Sequence, residues 1–181
     1  MEKIWKRFSV FDMVVIAMLA SLGIATKPIV APVMNAASSL FMLPGGALQS
    51  GIFMFWLITA RIVTGKTGAA TLAALVQGLM VMLVGIMGNH GLLSIITYSM
   101  PGLAIDLVYL LPRLSPRMLA MLAGLASCVT AFTIRAELMV HMPLWMLLAG
   151  CGVSAVSGLL GGWAAAFVAS GLKRFSGRGV V

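Results

Sequence analysis

Charge is the first thing this sequence lacks. Only 9% of its 181 residues are charged, and its four acids are Glu2, Asp12, Asp106 and Glu137. A soluble domain is about one quarter charged, so a fully hydrated surface is excluded. Metal-assisted phosphoryl chemistry wants several carboxylates together, and this chain has too few to cluster. Histidine is equally scarce. His90 and His141 have no i, i+4 partner, so no metal site is expected. The two cysteines, Cys128 and Cys151, lie in apolar stretches without metal-ligand spacing and read as small buried hydrophobes.

Apolar residues fill the space that charge leaves. The chain is 61% hydrophobic, with a mean hydropathy of +1.11. A core of this size cannot hide so much apolar surface, so the bilayer has to act as solvent. The expectation is an all-α integral membrane protein, one transmembrane domain over residues 1–181. Fifteen Met and twenty Gly suit close helix packing. The opening "MEKIWKRF" has no small-residue cleavage site after it and reads as the start of a first anchor rather than a removed signal.

Runs long enough to span a bilayer fall at roughly 10–26, 46–63, 68–87, 91–111, 117–138 and 143–171. They predict a six-transmembrane-helix bundle. Between the first two lies "KPIVAPVMNAASSLFMLPGG", with three prolines before Gly45 and Gly46. It is expected to be irregular or re-entrant, which is tolerated at membrane depth only where protein or a wet cavity satisfies the backbone. With six spans, Lys3, Lys6, Arg7, Arg61, Lys66, Arg113, Arg117, Lys173, Arg174 and Arg178 fall on one side, and only Lys27 and Arg135 on the other. The positive-inside rule makes the first side, and both termini, cytoplasmic. The same distribution explains the net charge of +8 as an orientation signal, not a nucleic-acid surface.

Enzyme motifs come close and fail. "ARIVTGKTG" (60–68) ends like a phosphate loop, but Ala60 stands where the first glycine is required, and a membrane helix precedes it where a strand is needed. "GVSA" (152–155) resembles a rhomboid-type serine nucleophile, yet no histidine follows Ser154 to serve as its base. No catalytic residue, cofactor or metal is assigned.

Binding features remain. Ala17, Ser21 and Ala25 recur every four residues on the first span and make a small-residue face for close helix approach, either inside the bundle or against a separate membrane subunit. Asp106, deep in "SMPGLAIDLVYLL", needs a partner at that depth; Arg61 and Arg113 are candidates for a structural ion pair. Towards the outer side lie Asn35, Gln49 and Asn89, amides suited to a small ligand. Trp145 suits an interface anchor, while Trp56 and Tyr98 sit deeper, at cavity-wall depth. "RAELMVHMP" places Arg135, Glu137 and His141 within seven positions. On a helix Glu137 and His141 share a face, and Arg135 points about 200° away from Glu137. The three either sit in interfacial water at a helix end, or Glu137 and His141 join Asn89, His90 and Trp56 around an outer cavity where a carboxylate meets an amino or cationic group of a ligand.

Six spans, a small-residue first helix and no ATPase resemble the substrate-binding S component of an energy-coupling factor (ECF) vitamin transporter. The runs "LPGGALQSGIFMFWLITARIVTGKTGAATLAALVQGLMVMLVG" and "YSMPGLAIDLVYLL" are similar to the YkoE-like hydroxymethylpyrimidine/thiamin branch. The resemblance implies a membrane subunit, not an enzyme, that binds a small water-soluble vitamin or precursor outside the cell. It also implies docking of the first helix, at Ala17, Ser21 and Ala25, on a transmembrane coupling protein driven by two cytoplasmic ATPases. Ser21 departs from the alanine expected at the middle position. Two other classes stand against this: an intramembrane enzyme acting on lipid or peptide, which lacks a credible nucleophile–base set, and a self-sufficient channel or small transporter, for which ionisable groups across the membrane depth or inverted repeats would be expected.

Overall fold

The computed structural model describes residues 8–41, 46–85, 91–111, 113–139 and 143–175, the side chains of 137–139 and 173–175 excepted. Among the described residues seven helices follow one another: α1 (Val10–Ala25), α2 (Lys27–Leu40), α3 (Ser50–Thr64), α4 (Ala69–Val84), α5 (Leu93–Val108), α6 (Pro116–Met139) and α7 (Leu144–Phe175).

Local chemistry sets the helix ends. Ser9 caps α1: its Oγ accepts from Phe11 N at 3.3 Å, and Asp12 Oδ2 accepts from Ser9 N at 2.8 Å. This reciprocal capping satisfies donors that a helix start otherwise leaves open. Gly65 (φ 67°) closes α3 and Gly68 (φ 93°) opens α4. Both backbones are left-handed, which glycine adopts without cost. The phosphate-loop look-alike is therefore a tight helix–helix turn.

The stretch expected to be irregular or re-entrant is helical over Lys27–Leu40, and its residues 42–45 lie outside those described. Pro28 sits in the first turn of α2, where its missing N–H costs nothing. Ser38 and Ser39 turn their hydroxyls onto Met34 O (2.8 Å) and Ala36 O (2.7 Å) of the same helix. Only Pro32 interrupts the interior. The break comes earlier, at Thr26, where α1 and α2 meet at a 45° bend.

Among the described residues two helices are long and apolar enough to cross a membrane alone, Pro116–Ala136 and Leu144–Leu172; the pair α1–α2 passes the same test only when its two bent halves are taken together. Helices α3, α4 and α5 are apolar but have only 15, 16 and 16 residues. At 1.5 Å per residue, sixteen residues reach roughly 24 Å, short of a hydrocarbon core of about 30 Å. The six expected spans thus appear as apolar helices of unequal reach.

The core is built from small side chains. Ala20, Ala60, Ala73, Ala74, Ala120 and Ala165 are fully buried around Ile58 and Ile105. Large apolar side chains point outward, among them Leu83 (79% exposed), Phe167 (71%) and Leu148 (64%). A water-soluble fold arranges sizes the other way. In lipid there is no hydrophobic gain between helices, so small residues at the contacts and large ones outside are favoured.

Candidate functional site

Two cavities adjoin α3. The larger, about 760 Å³, opens between α2, α3 and α7 and is walled by Met34, Ile52, Trp56, Val156 and Leu160. Its lining is almost wholly apolar. The smaller holds about 50 Å³ and gathers Lys27, Gln77, Thr97, Tyr98 and Arg135 against Phe53, Met54 and Leu57. The small cavity is thus the one of the two that brings convergent polar groups together, as recognition of a polar molecule requires.

Five helices supply this polar pocket. Lys27, the first residue of α2, is buried with 6% exposure. Its Nζ donates to the hydroxyl of Tyr98 on α5 and lies 5.3 Å from the ring centre of Phe53 on α3. Gln77 enters from α4, 3% exposed, and its Nε2 has no hydrogen-bond partner. That amide fits because α1 carries Gly23 opposite it: a Cβ there would stand 2.2 Å from Gln77 Nε2. Arg135 comes from α6, and its guanidinium packs on Gly46 (φ 95°), where a Cβ would lie 2.4 Å from Nη1. Gln49 reaches the same spot, buried, with Oε1 unpartnered.

The described carboxylates are committed elsewhere. Asp12 binds Lys66 Nζ at 2.6 Å, near the start of α1, with Lys27 beyond the other end of that helix. Asp106 pairs with Arg61 Nε at 3.1 Å. Its second oxygen accepts from Thr71 N at 2.9 Å and Thr71 Oγ1 at 2.6 Å. The Arg61 contact is close but not aligned as a hydrogen bond, so the two threonine donors hold the carboxylate's direction and the arginine supplies charge. Tyr109 lies under the guanidinium, 4.8 Å from its ring centre. Arg61, not Arg113, is the partner of Asp106.

The other sequence candidates scatter. Tyr98 lines the polar pocket, and Trp56 lines the apolar cleft, its ring edge-on to Phe55 at 5.0 Å. Asn35 is exposed on α2. Asn89, His90 and His141 lie outside the described residues, as does the side chain of Glu137. Ala17, Ser21 and Ala25 are all exposed along one face of α1, while Ile16, Ala20, Gly23 and Ile24 on the other face are buried. Ser154 is fully buried and its Oγ has no partner, so it has no base to activate it. Among the described residues no group of three His, Cys, Asp or Glu could hold a metal.

Sequence reasoning passed over Lys27, Gln77 and Arg135 as pocket residues. The available signals were a lone amide inside "AALVQGLMVML" and the two cations that stand alone on the outer side.

Residues 11–133 match the family described as "ABC-type cobalt transport system, permease component". The chain belongs to this family. It is accordingly a membrane permease component of a transport system and not an enzyme. A solved structure, "Crystal structure of an S-component of ECF transporter", superposes with a TM-score of 0.72 over 93% of this chain and 87% of that one, at 21% identity. The family member described here therefore has the fold of that S component. No curated protein matches the chain.

Proposed function

We propose that this chain is the substrate-binding S component of an ECF-type importer in a prokaryotic cell membrane. It captures a small water-soluble vitamin or precursor at its outer end and passes it to a transmembrane coupling protein powered by two ATPases. Both termini face the cytoplasm on this reading, and the Lys27–Arg135 end faces out. The observation that supports it most is the S-component fold over 93% of the chain, joined to a permease family and a polar pocket at Lys27 and Arg135. Among the described residues the ionisable groups gather at the two ends of the bundle, with alanine-rich packing between. A self-sufficient ion-coupled transporter would be expected to carry them through the middle.

The family description names cobalt. The pocket offers two cationic side chains and no described metal-ligand cluster, so we assign no metal substrate. The resemblance to the hydroxymethylpyrimidine/thiamin branch makes thiamin or its pyrimidine precursor the first compounds to test. The exposed face at Ala17, Ser21 and Ala25 is the docking surface on the coupling protein.

The test is co-purification followed by reconstitution. The chain, isolated in detergent and then denatured, is expected to release a small water-soluble molecule identifiable by mass spectrometry. In proteoliposomes, uptake of that molecule is expected only with the coupling protein, the ATPases and ATP present. Uptake by the chain alone would overturn the assignment.

A further inference from the structure

We infer that the substrate carries an anionic group, a carboxylate or a phosphate, seated between Lys27 and Arg135; this rests on the substrate-binding reading above. The charged groups that line the pocket are both cations, Lys27 and Arg135. Lys27 and Arg135 can only donate. Gln77 also lines the pocket, with its Nε2 turned away onto Gly23. Tyr98 accepts from Lys27, which leaves its own proton to donate, and Thr97 Oγ1 already gives its proton to Ser94 O at 3.2 Å.

Nothing described neutralises the two cations. Asp12 and Asp106 are held by Lys66 and Arg61. Along α6, Ala131 and Arg135 are four residues apart and both line the pocket, so they mark its pocket-facing side. Position 137 falls roughly 200° round the helix from position 135. A buried lysine with no carboxylate beside it is costly in a membrane protein, and polar groups kept at such a cost mark binding sites. An anion fits both charges at once, with charge-assisted bonds to ammonium and guanidinium.

Size and shape agree. At roughly 10–15 Å³ per water-sized probe, a cavity of about 50 Å³ takes a carboxylate or phosphate group rather than a whole vitamin. Phe53, Met54 and Leu57 give an apolar wall beside it, and Arg135, the exposed member, marks where the rest of the molecule leaves. The cationic ring of thiamin would meet two like charges here, whereas a phosphorylated pyrimidine would not.

Matched acid and neutral pairs test this on the full chain in detergent: nicotinate with nicotinamide, pantothenate with pantothenyl alcohol, and hydroxymethylpyrimidine phosphate with hydroxymethylpyrimidine. At least one acid is expected to raise the melting temperature and to bind more than ten-fold tighter than its neutral partner; which pair responds separates carboxylate from phosphate. Arg135→Gln, at an exposed position, is expected to weaken that acid by about 10- to 100-fold without changing the neutral partner, and Arg135→Lys to restore most of the loss. Lys27→Met, of similar length, is expected to act in the same direction. Equal binding of acid and neutral forms, no acid bound, or unchanged acid affinity in Arg135→Gln would overturn the anion site. With complex formation on the coupling protein intact, those results leave the subunit reading standing. Acid binding without such a complex would sink that reading instead.

Discussion

Gly124 and Gly158 bring α6 and α7 into backbone contact. A Cβ built on Gly124 would stand 2.0 Å from Gly158 O, and one on Gly158 would stand 2.3 Å from Gly124 O. Gly162 repeats the arrangement one turn on, against Ala120 O at 2.1 Å. The longest pair of helices is thus zipped by absent side chains, and any addition forces the backbones apart. Gly124→Ala or Gly158→Ala should destabilise by about 1–3 kcal/mol, the usual cost of overpacking. Gly152, on the same helix α7, has nothing within 4 Å of its added Cβ. Gly152→Ala should be neutral or slightly stabilising, since alanine suits a helix interior better. Thermal unfolding of the three variants in one detergent checks the contrast.

The Arg61–Asp106 pair predicts a different pattern. Both residues are buried, at 7% and 8% exposure. Removing one member of a buried pair costs roughly 3–5 kcal/mol because the other charge is stranded, whereas replacing both by apolar groups is often nearly neutral. Arg61→Met should therefore be worse than Arg61→Met with Asp106→Leu. Thr71 softens the single change by keeping its two bonds to Asp106. A double-mutant cycle on melting temperature measures the difference; additive losses would show that the pair is not coupled.

These two relationships show how far the sequence could be read. The ion pair was legible because an acid within "SMPGLAIDLVYLL" demands a partner and only nearby cytoplasmic arginines were available. The helices were legible from apolar runs, and the α3–α4 turn from its glycines. The 27–46 stretch is legible in part: the 45° bend between α1 and α2 is what a broken or re-entrant segment requires, whereas Lys27–Leu40 stays helical because Pro28 falls in a first turn, where it is harmless. The pocket was the least legible part. From sequence Lys27 reads as a loop charge and Arg135 as pointing away from Glu137, since a pocket drawn from five helices depends on rotations that no single helix encodes. Gln77 was visible as a lone amide in an apolar run, but only the gap left by Gly23 gives it room.

Helix α1 carries a prediction for coupling. Ala17 and Ala25 are exposed while Ala20, between them in sequence, is fully buried. Ala17→Leu and Ala25→Leu should leave melting temperature and detergent-phase ligand binding unchanged and cut ATP-driven uptake. Ala20→Leu should instead lower stability by about 1–3 kcal/mol through overpacking. Loss of ligand binding together with uptake in the Ala17 variant would remove the face from the docking surface.

Lys66 separates nucleotide chemistry from anchoring. It stands in the look-alike "GKTG" turn, but its Nζ is bound to Asp12 Oδ2 at 2.6 Å, and the ring of Phe8 is 5.6 Å away. The same Asp12 oxygen accepts from Ser9 N, so the lysine closes the α3–α4 turn onto the cap of α1. A lysine held this way, between glycines that end and start helices, has no cradle of loop amides to share with a phosphate. The expected outcome for Lys66→Ala is unchanged ligand affinity and no change in nucleotide binding, because the isolated chain has none to lose. Lys66 is partly exposed, 36% accessible, but Asp12 is buried, so the change withdraws a cation from a buried carboxylate and should lower the melting temperature. Equilibrium dialysis with ATP and magnesium decides the matter: stoichiometric binding to the purified chain, abolished by Lys66→Ala, would mean that the turn is a nucleotide site after all.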